Sequence, residues 1–165
     1  MRHVLAATVL AACLWPAAAF ATAGEQEFSA GVAGGVAAPG ASAGVEGGWL
    51  YDLTDFWAIG AGLRDRRFFY DAPRGSTSLA ADVRFAVDAL TFIPALGASA
   101  GTVLTADGFK PFVRGEAALG YRPARSWGVE AAVGAEQESF TGAHLRWMFS
   151  LRLCWYRGAG IGLDL

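Results

Sequence analysis

The chain has 165 residues, 13 basic against 15 acidic side chains, and a hydrophobic fraction of 54%. Neither charge sign forms a block, so a nucleic-acid or strongly acidic partner is not indicated. Beyond residue 23 the only cysteine is Cys154, which excludes an intrachain disulfide in the processed chain, and no Cys/His spacing suits a metal; no cofactor is expected.

Met1-Arg2-His3 is a short basic head, followed by an apolar run from Val4 to Trp15, Pro16, and small residues ending Ala21-Thr22-Ala23. This is the pattern of a secretory signal peptide, residues 1–23, with cleavage after Ala23. Leu10-Ala11-Ala12-Cys13 resembles a lipidation box, but the apolar character continues past Cys13, which favours ordinary signal-core residues.

After the leader the polarity alternates with a period of two, the mark of strands with one apolar and one polar face. Eight such segments are predicted, at about 27–37, 42–52, 56–69, 76–88, 92–103, 110–121, 127–138 and 143–156. The last is the clearest: positions 145 to 155 alternate Leu, Trp, Phe, Leu, Leu, Trp with Arg146, Met148, Ser150, Arg152 and Cys154. At ~3.4 Å per residue it spans roughly 45 Å, far longer than the usual globular strand of about 17–20 Å. Ala89 to Ala106 lacks charge, yet Pro94 and its glycines argue against a membrane helix there.

The links carry turn residues, among them Pro39-Gly40, Asp52-Leu-Thr-Asp55, Asp71-Ala-Pro-Arg-Gly75, Ala106-Asp-Gly108 and Thr141-Gly142. Links this short join antiparallel neighbours, which gives an up-and-down meander. Tyr51-x5-Trp57-x-Ile59-x-Ala61 is echoed by Tyr121-x5-Trp127-x-Val129-x-Ala131, as hairpins used twice in a barrel would be.

For the last hairpin, a register in which paired numbers sum to 282 sets Glu138 against His144, Glu136 against Arg146 and Glu130 against Arg152. The same register sets Trp127 against Trp155 and Val133 against Phe149 on the other face. For strands three and four, a turn centred near Pro73 sets Arg64 against Asp82 and Leu63 against Val83. Carried around the chain, the apolar face ends at one rim in Phe28, Tyr51, Trp57, Phe92, Tyr121, Trp127 and Trp155, with Val87 the exception on the fourth strand. The polar face carries Glu46, Asp82, Glu116, Glu130 and Glu136 with Arg64, Arg84, Arg114, Arg146 and Arg152 among Gly, Ala and Ser. An arginine facing lipid near the midplane costs about 2–4 kcal/mol, whereas inside an eight-stranded barrel it can be paired. The expected fold is therefore all-β, an eight-stranded antiparallel up-and-down transmembrane β-barrel over residues 24–156.

Signal peptide, eight amphipathic strands, short turns and an aromatic rim resemble the small bacterial outer-membrane barrels of the OmpA transmembrane-domain and OmpX type. The resemblance implies a monomer in the outer membrane of a Gram-negative cell envelope, termini in the periplasm, in contact with outer-membrane lipid and lipopolysaccharide and inserted by the barrel-assembly machinery. Such barrels commonly finish on an aromatic residue; here Trp155-Tyr156 is followed by a tail, residues 157–165, ending Ile161, Leu163 and Leu165. Either Leu165 imitates that terminal signal or the tail hangs free.

The function expected is structural or interfacial, with a lumen plugged by Arg–Glu/Asp pairs rather than gated by them; porin-like conduction is the other use of the same pairs. Some barrels of this class are enzymes acting on lipopolysaccharide acyl chains with a His, a Ser and a carboxylate, so His144, Glu138 and Ser139 are the candidates for a deacylase-like lipid-modifying site. No His-x-Ser spacing accompanies them, since position 146 is Arg. A secreted lipocalin-like binding barrel, with the faces inverted, is the third alternative. Arg64, Arg66, Arg67 and Arg74 cluster near the second outer link, where they would meet lipopolysaccharide phosphates, and Phe68-Phe69-Tyr70 is expected to expose an aromatic patch.

Overall fold

A computed structural model describes residues 23–37, 40–69, 74–87, 91–106, 108–138 and 145–158. Residues 1–22 of the expected leader, His144, Ser139 and the residues beyond Gly158 lie outside them. Eight strands, β1 (Gln26–Ala37), β2 (Gly40–Asp52), β3 (Trp57–Phe69), β4 (Arg74–Ala86), β5 (Phe92–Thr105), β6 (Gly108–Ala124), β7 (Trp127–Glu138) and β8 (Leu145–Arg157), close into one barrel in chain order. Every neighbouring pair is antiparallel, and β8 returns to β1. The segment 89–106, weighed as a membrane helix, supplies β5, and no described helix is long and apolar enough to cross a membrane.

The stagger of the barrel can be read by stepping from partner to partner. Gln26 pairs with Tyr51, then Ile59, Val83, Ala98, Gly115, Ala135 and Trp147, and Trp147 pairs with Val36 of β1. One circuit thus advances from residue 26 to residue 36, a shear of ten for eight strands. That shear fixes a strand tilt of about 40°, so a 12-residue strand spans ~30 Å along the barrel axis.

The β7–β8 register is the one expected from charge matching, with Glu130 opposite Arg152, Glu136 opposite Arg146 and Trp127 opposite Trp155. The β3–β4 register is not. Arg64 faces Ser78 rather than Asp82, and Leu63 faces Leu79, so β4 is displaced by four residues from the expected pairing. An even slip keeps every side chain on its own face, and small residues at 75–81 offer little to penalise it. The displacement sets Phe85 against Trp57, ring centroids 5.1 Å apart, so Phe85 rather than Val87 fills the fourth strand's place in the aromatic rim.

The rim residues Phe28, Tyr51, Trp57, Phe92, Tyr121, Trp127 and Trp155 all point outward and are exposed. They ring the end of the barrel where β1 begins and β8 ends; the rings of Phe92 and Tyr121 meet at a tilt across β5–β6, centroids 5.2 Å apart. Above them the outward face continues through Val32, Val45, Leu63, Leu79, Leu96, Leu119, Val133, Phe149 and Leu151, all exposed. At the terminal end the chain turns tightly: Thr54 Oγ1 accepts from the backbone N–H groups of Phe56 and Trp57 at 3.2 and 3.0 Å, fixing the β2–β3 link. At the far end Gly108 opens β6 with φ near +107°, a backbone region that a side chain disfavours.

Candidate functional site: the barrel lumen

Alternation along each strand sends the polar positions inward, and the 40° tilt stacks them in layers. Near the terminal mouth, Arg122 is fully buried. Its guanidinium lies 3.6 Å from the Tyr156 ring centre and donates to both oxygens of Glu25, at 2.9 and 2.7 Å, and to the Arg125 carbonyl at 2.6 Å. One layer up, Arg84 donates to both Glu27 oxygens, at 3.2 and 3.0 Å, and to Glu130 across the lumen.

The middle layer is the densest. Arg152 reaches Glu46 at 2.6 Å, both oxygens of Glu116 at 2.9 and 2.7 Å, and Glu130 at 2.8 Å, so one guanidinium joins strands β2, β6 and β7. Arg64 lies 3.4 Å from Glu46 and 3.5 Å from Asp82, and also meets Ser99 at 3.4 Å. Arg114 lies 2.5 Å from Glu116 and 3.5 Å from Glu46. Several atoms here have no hydrogen-bond partner within the protein: Arg64 Nη1, Arg114 Nε and Nη1, and Glu46 Oε2. A cavity of about 50 Å³ lies against the β2–β6 wall, lined by Glu27, Glu46, Arg64, Asp82, Ser99 and Glu116 among others. A smaller one of about 30 Å³ sits at the terminal mouth beside Asp52, Ile93 and Arg122.

Toward the far end the chemistry changes. Arg66 and Glu136 form a two-point fork, both contacts 2.5 Å, from β3 to β7, directly across the barrel. Arg146 reaches Glu136 at 3.3 Å and Glu138 at 2.5 Å, and lies 4.7 Å from the centre of the Phe68 ring. Beside them Phe112, Val103 and Met148 are buried to within 2% exposure, and Ala80 packs with the first two.

All ten charged residues singled out from the sequence for the inward face lie in these layers, each in an ion pair. The strand pattern did not reveal Glu25, Glu27, Arg66 and Arg122 as members; Glu138, set on the same face by the β7–β8 register, pairs with Arg146. The sixth strand, expected over 110–121, runs on to Ala124 and so carries Arg122 into the lumen, with a register shift between Tyr121 and Ala124. Arg66 was expected on the surface near the second outer link. It is instead 2% exposed and inside the barrel, because it shares parity with Arg64; Arg67 is exposed on the outer face, and the side chain of Arg74 lies outside the described residues. Phe68 likewise is buried, whereas Phe69 is exposed, so the expected patch at 68–70 is not one surface; Tyr70 lies outside the described residues. Of the hydrolase candidates, Glu138 is held by Arg146, and His144 and Ser139 lie outside the described residues. The described interior offers paired charges where a lipocalin-like barrel needs an apolar cavity, so that alternative is set aside.

No family model matches the chain, and no curated protein matches it. Solved structures do. The outer membrane protein OprG from Pseudomonas aeruginosa superposes with a TM-score of 0.63 at 10% identity, over 84% of this chain and 98% of that one. Neisserial surface protein A gives 0.58 at 12% identity, over 81% and 97%. Ail, the attachment invasion locus protein of Yersinia pestis, gives 0.54 at 14% identity, over 81% and 99%. At such identities the likeness is one of fold: an eight-stranded barrel of the outer-membrane type.

Proposed function

We propose that the chain is an outer-membrane barrel whose lumen is closed by ion pairs and whose role is structural or interfacial. The observation that carries this reading is the inversion of polarity. Apolar rows and aromatics cover the outside, while arginines and carboxylates less than a tenth exposed, Arg64, Arg66, Arg114, Glu46, Glu130 and Glu136 among them, fill the inside. In water that arrangement would expose the hydrophobic face and dehydrate the charged one; in a bilayer both faces are matched. The outward apolar band from Trp155 to Trp147 covers eight residue steps, ~20 Å along the axis at this tilt, close to the height such barrels present to lipid.

With the start of β1 and the end of β8 at the aromatic rim, that rim faces the periplasm and the opposite ends of the strands face outward. There, Arg67 sits on the outer surface beside Asp65, which accepts from Thr77 at 3.0 Å. This is where lipopolysaccharide headgroups would be met. Assembly as a monomer by the barrel-assembly machinery belongs to the same reading.

The test is fractionation of cells, with boiled and unboiled samples compared on a gel, followed by planar-bilayer recording of the purified protein. A heat-shifted band in the outer-membrane fraction and no steady current are expected. A soluble periplasmic band without a heat shift would overturn the membrane assignment. A steady open current would overturn the plugged lumen.

A further inference from the structure

The two ends of the lumen are not equivalent. The 50 Å³ cavity and the 30 Å³ mouth cavity share Glu27, Leu50 and Arg84 in their walls, so they adjoin, and the second opens at the terminal mouth. Neither is lined by Arg66, Phe68, Val103, Phe112, Glu136, Arg146 or Met148. Those side chains make up the next layer toward the far end. Phe112 and Val103 pack with Ala80; Met148 fills the space over Gly35, where an added Cβ would stand 2.6 Å from its Sδ; and the Arg66–Glu136 fork spans the barrel from opposite strands. In the cavity wall Glu46 is held by Arg64 at 3.4 Å and by Arg114 at 3.5 Å.

From this asymmetry we infer that the lumen is a blind, water-filled vestibule, entered from the periplasmic mouth and sealed in the outer half by Phe112, Val103, Met148 and the Arg66–Glu136 fork. The ligand of the vestibule is ordered water. A cavity of this size has room for a few molecules, and Glu27, Glu46, Asp82, Ser99, Glu116 and Arg152 in its wall supply the polar contacts that buried water needs. The layer beyond is filled by Phe112, Val103 and Met148, each buried to within 2% exposure. The barrier to passage therefore lies in the outer layer, not in the middle layer where most charges are. The inference rests on the closed-barrel reading above and places its closure.

Two measurements test it. In planar bilayers the wild type and Leu50→Ala, which widens only the junction of the two cavities, are expected to stay silent. Phe112→Ala combined with Arg66→Ser is expected to give discrete current steps, with folding checked by the heat-shifted band. If the wild type conducts, the plugged-barrel reading itself falls. If the wild type is silent and the folded double variant is silent too, or if Leu50→Ala conducts as well as it does, the placement of the seal is wrong. Should the double variant not fold, NMR of the unmodified protein decides. Water-to-methyl cross-relaxation is expected at Ala95 and Ala118 and not at Ala80 or Val103. Water at Val103, or none at Ala95, would overturn the inference.

Discussion

The Arg66–Glu136 fork allows the dryness of the outer layer to be tested energetically. Both side chains are 3% exposed or less, and both contacts are 2.5 Å. Removing one member of such a pair leaves the other charge buried, at a cost of about 3–5 kcal/mol, whereas replacing both by apolar groups of similar volume is often close to neutral. The structure makes the two single changes unequal. After Arg66→Met, Glu136 keeps Arg146 at 3.3 Å; after Glu136→Met, Arg66 loses its fork while Arg146 retains Glu138 at 2.5 Å. Glu136→Met should therefore fall at the upper end of that range and Arg66→Met at or below the lower end. The double Met variant should cost clearly less than Glu136→Met alone, a non-additivity that two independent surface charges would not show. Urea unfolding in detergent micelles, followed by tryptophan fluorescence, gives the three midpoints and slopes. A Glu136→Met variant within about 1 kcal/mol of wild type, or a cost that 1 M salt erases, would mean the pair is solvated and screened, and the argument for a dry outer layer would be refuted.

Three further outcomes are expected. An added Cβ at Gly101 would stand 2.0 Å from the Leu79 carbonyl oxygen, backbone that cannot swing aside, so Gly101→Ala should lower stability by about 1–3 kcal/mol in the same assay. At Gly115, on the outer face, a Cβ meets nothing within 4 Å, and Gly115→Ala should be neutral or stabilising by up to about 1 kcal/mol; equal effects at the two sites would contradict the inward–outward assignment. Leu151 points outward midway between Trp155 and Trp147, so Leu151→Arg should cost about 2–4 kcal/mol for vesicle-embedded protein, and a silent substitution would place β8 out of the lipid. Trp49, Trp57, Trp127 and Trp155 are outward at the terminal rim and Trp147 near the other. Lipids brominated close to the headgroup should therefore quench their fluorescence more than lipids brominated at the chain ends; the reverse order would remove the interfacial girdle.

What could be read from the chain and what could not divides along a physical line. Parity is local: once Leu145, Trp147 and Phe149 face one way, Arg146, Met148 and Ser150 face the other, and no tertiary fact is needed. That is why the eight strands, the outer aromatics and the inward charges were legible. Register is legible only where side chains discriminate. On β7–β8 a slip would set glutamates against apolar groups or leave them without arginines, and there the pairing was found. On β3–β4 the run Gly75 to Ala81 is all small or hydroxylated except Leu79, so a four-residue error met no objection, and it hid Phe85 behind Val87. Arg66 is hidden for another reason: basic residues clustered in sequence suggest a surface patch, although in a strand neighbours alternate sides.

Contacts across the lumen lie beyond any strand-by-strand reading, and they bear on why this barrel has its shape. Pairs such as Glu130–Arg152 join adjacent strands and depend on one register alone. Arg66 with Glu136 joins β3 to β7, and Arg84 with Glu27 joins β4 to β1; each depends on the accumulated stagger of the strands between. A shear of eight or twelve in place of ten would change both tilt and radius, moving such partners out of reach along the axis and across it. The cross-lumen pairs are thus satisfied together only in this closure. Left apart inside the barrel, each would leave a buried charge costing several kcal/mol, so these cross-lumen pairs also oppose alternative staggers. The glycines and alanines between them serve that end: Gly62, Gly97 and Ala118 leave the width in which Arg64, Arg84 and Arg152 can extend to carboxylates on distant strands.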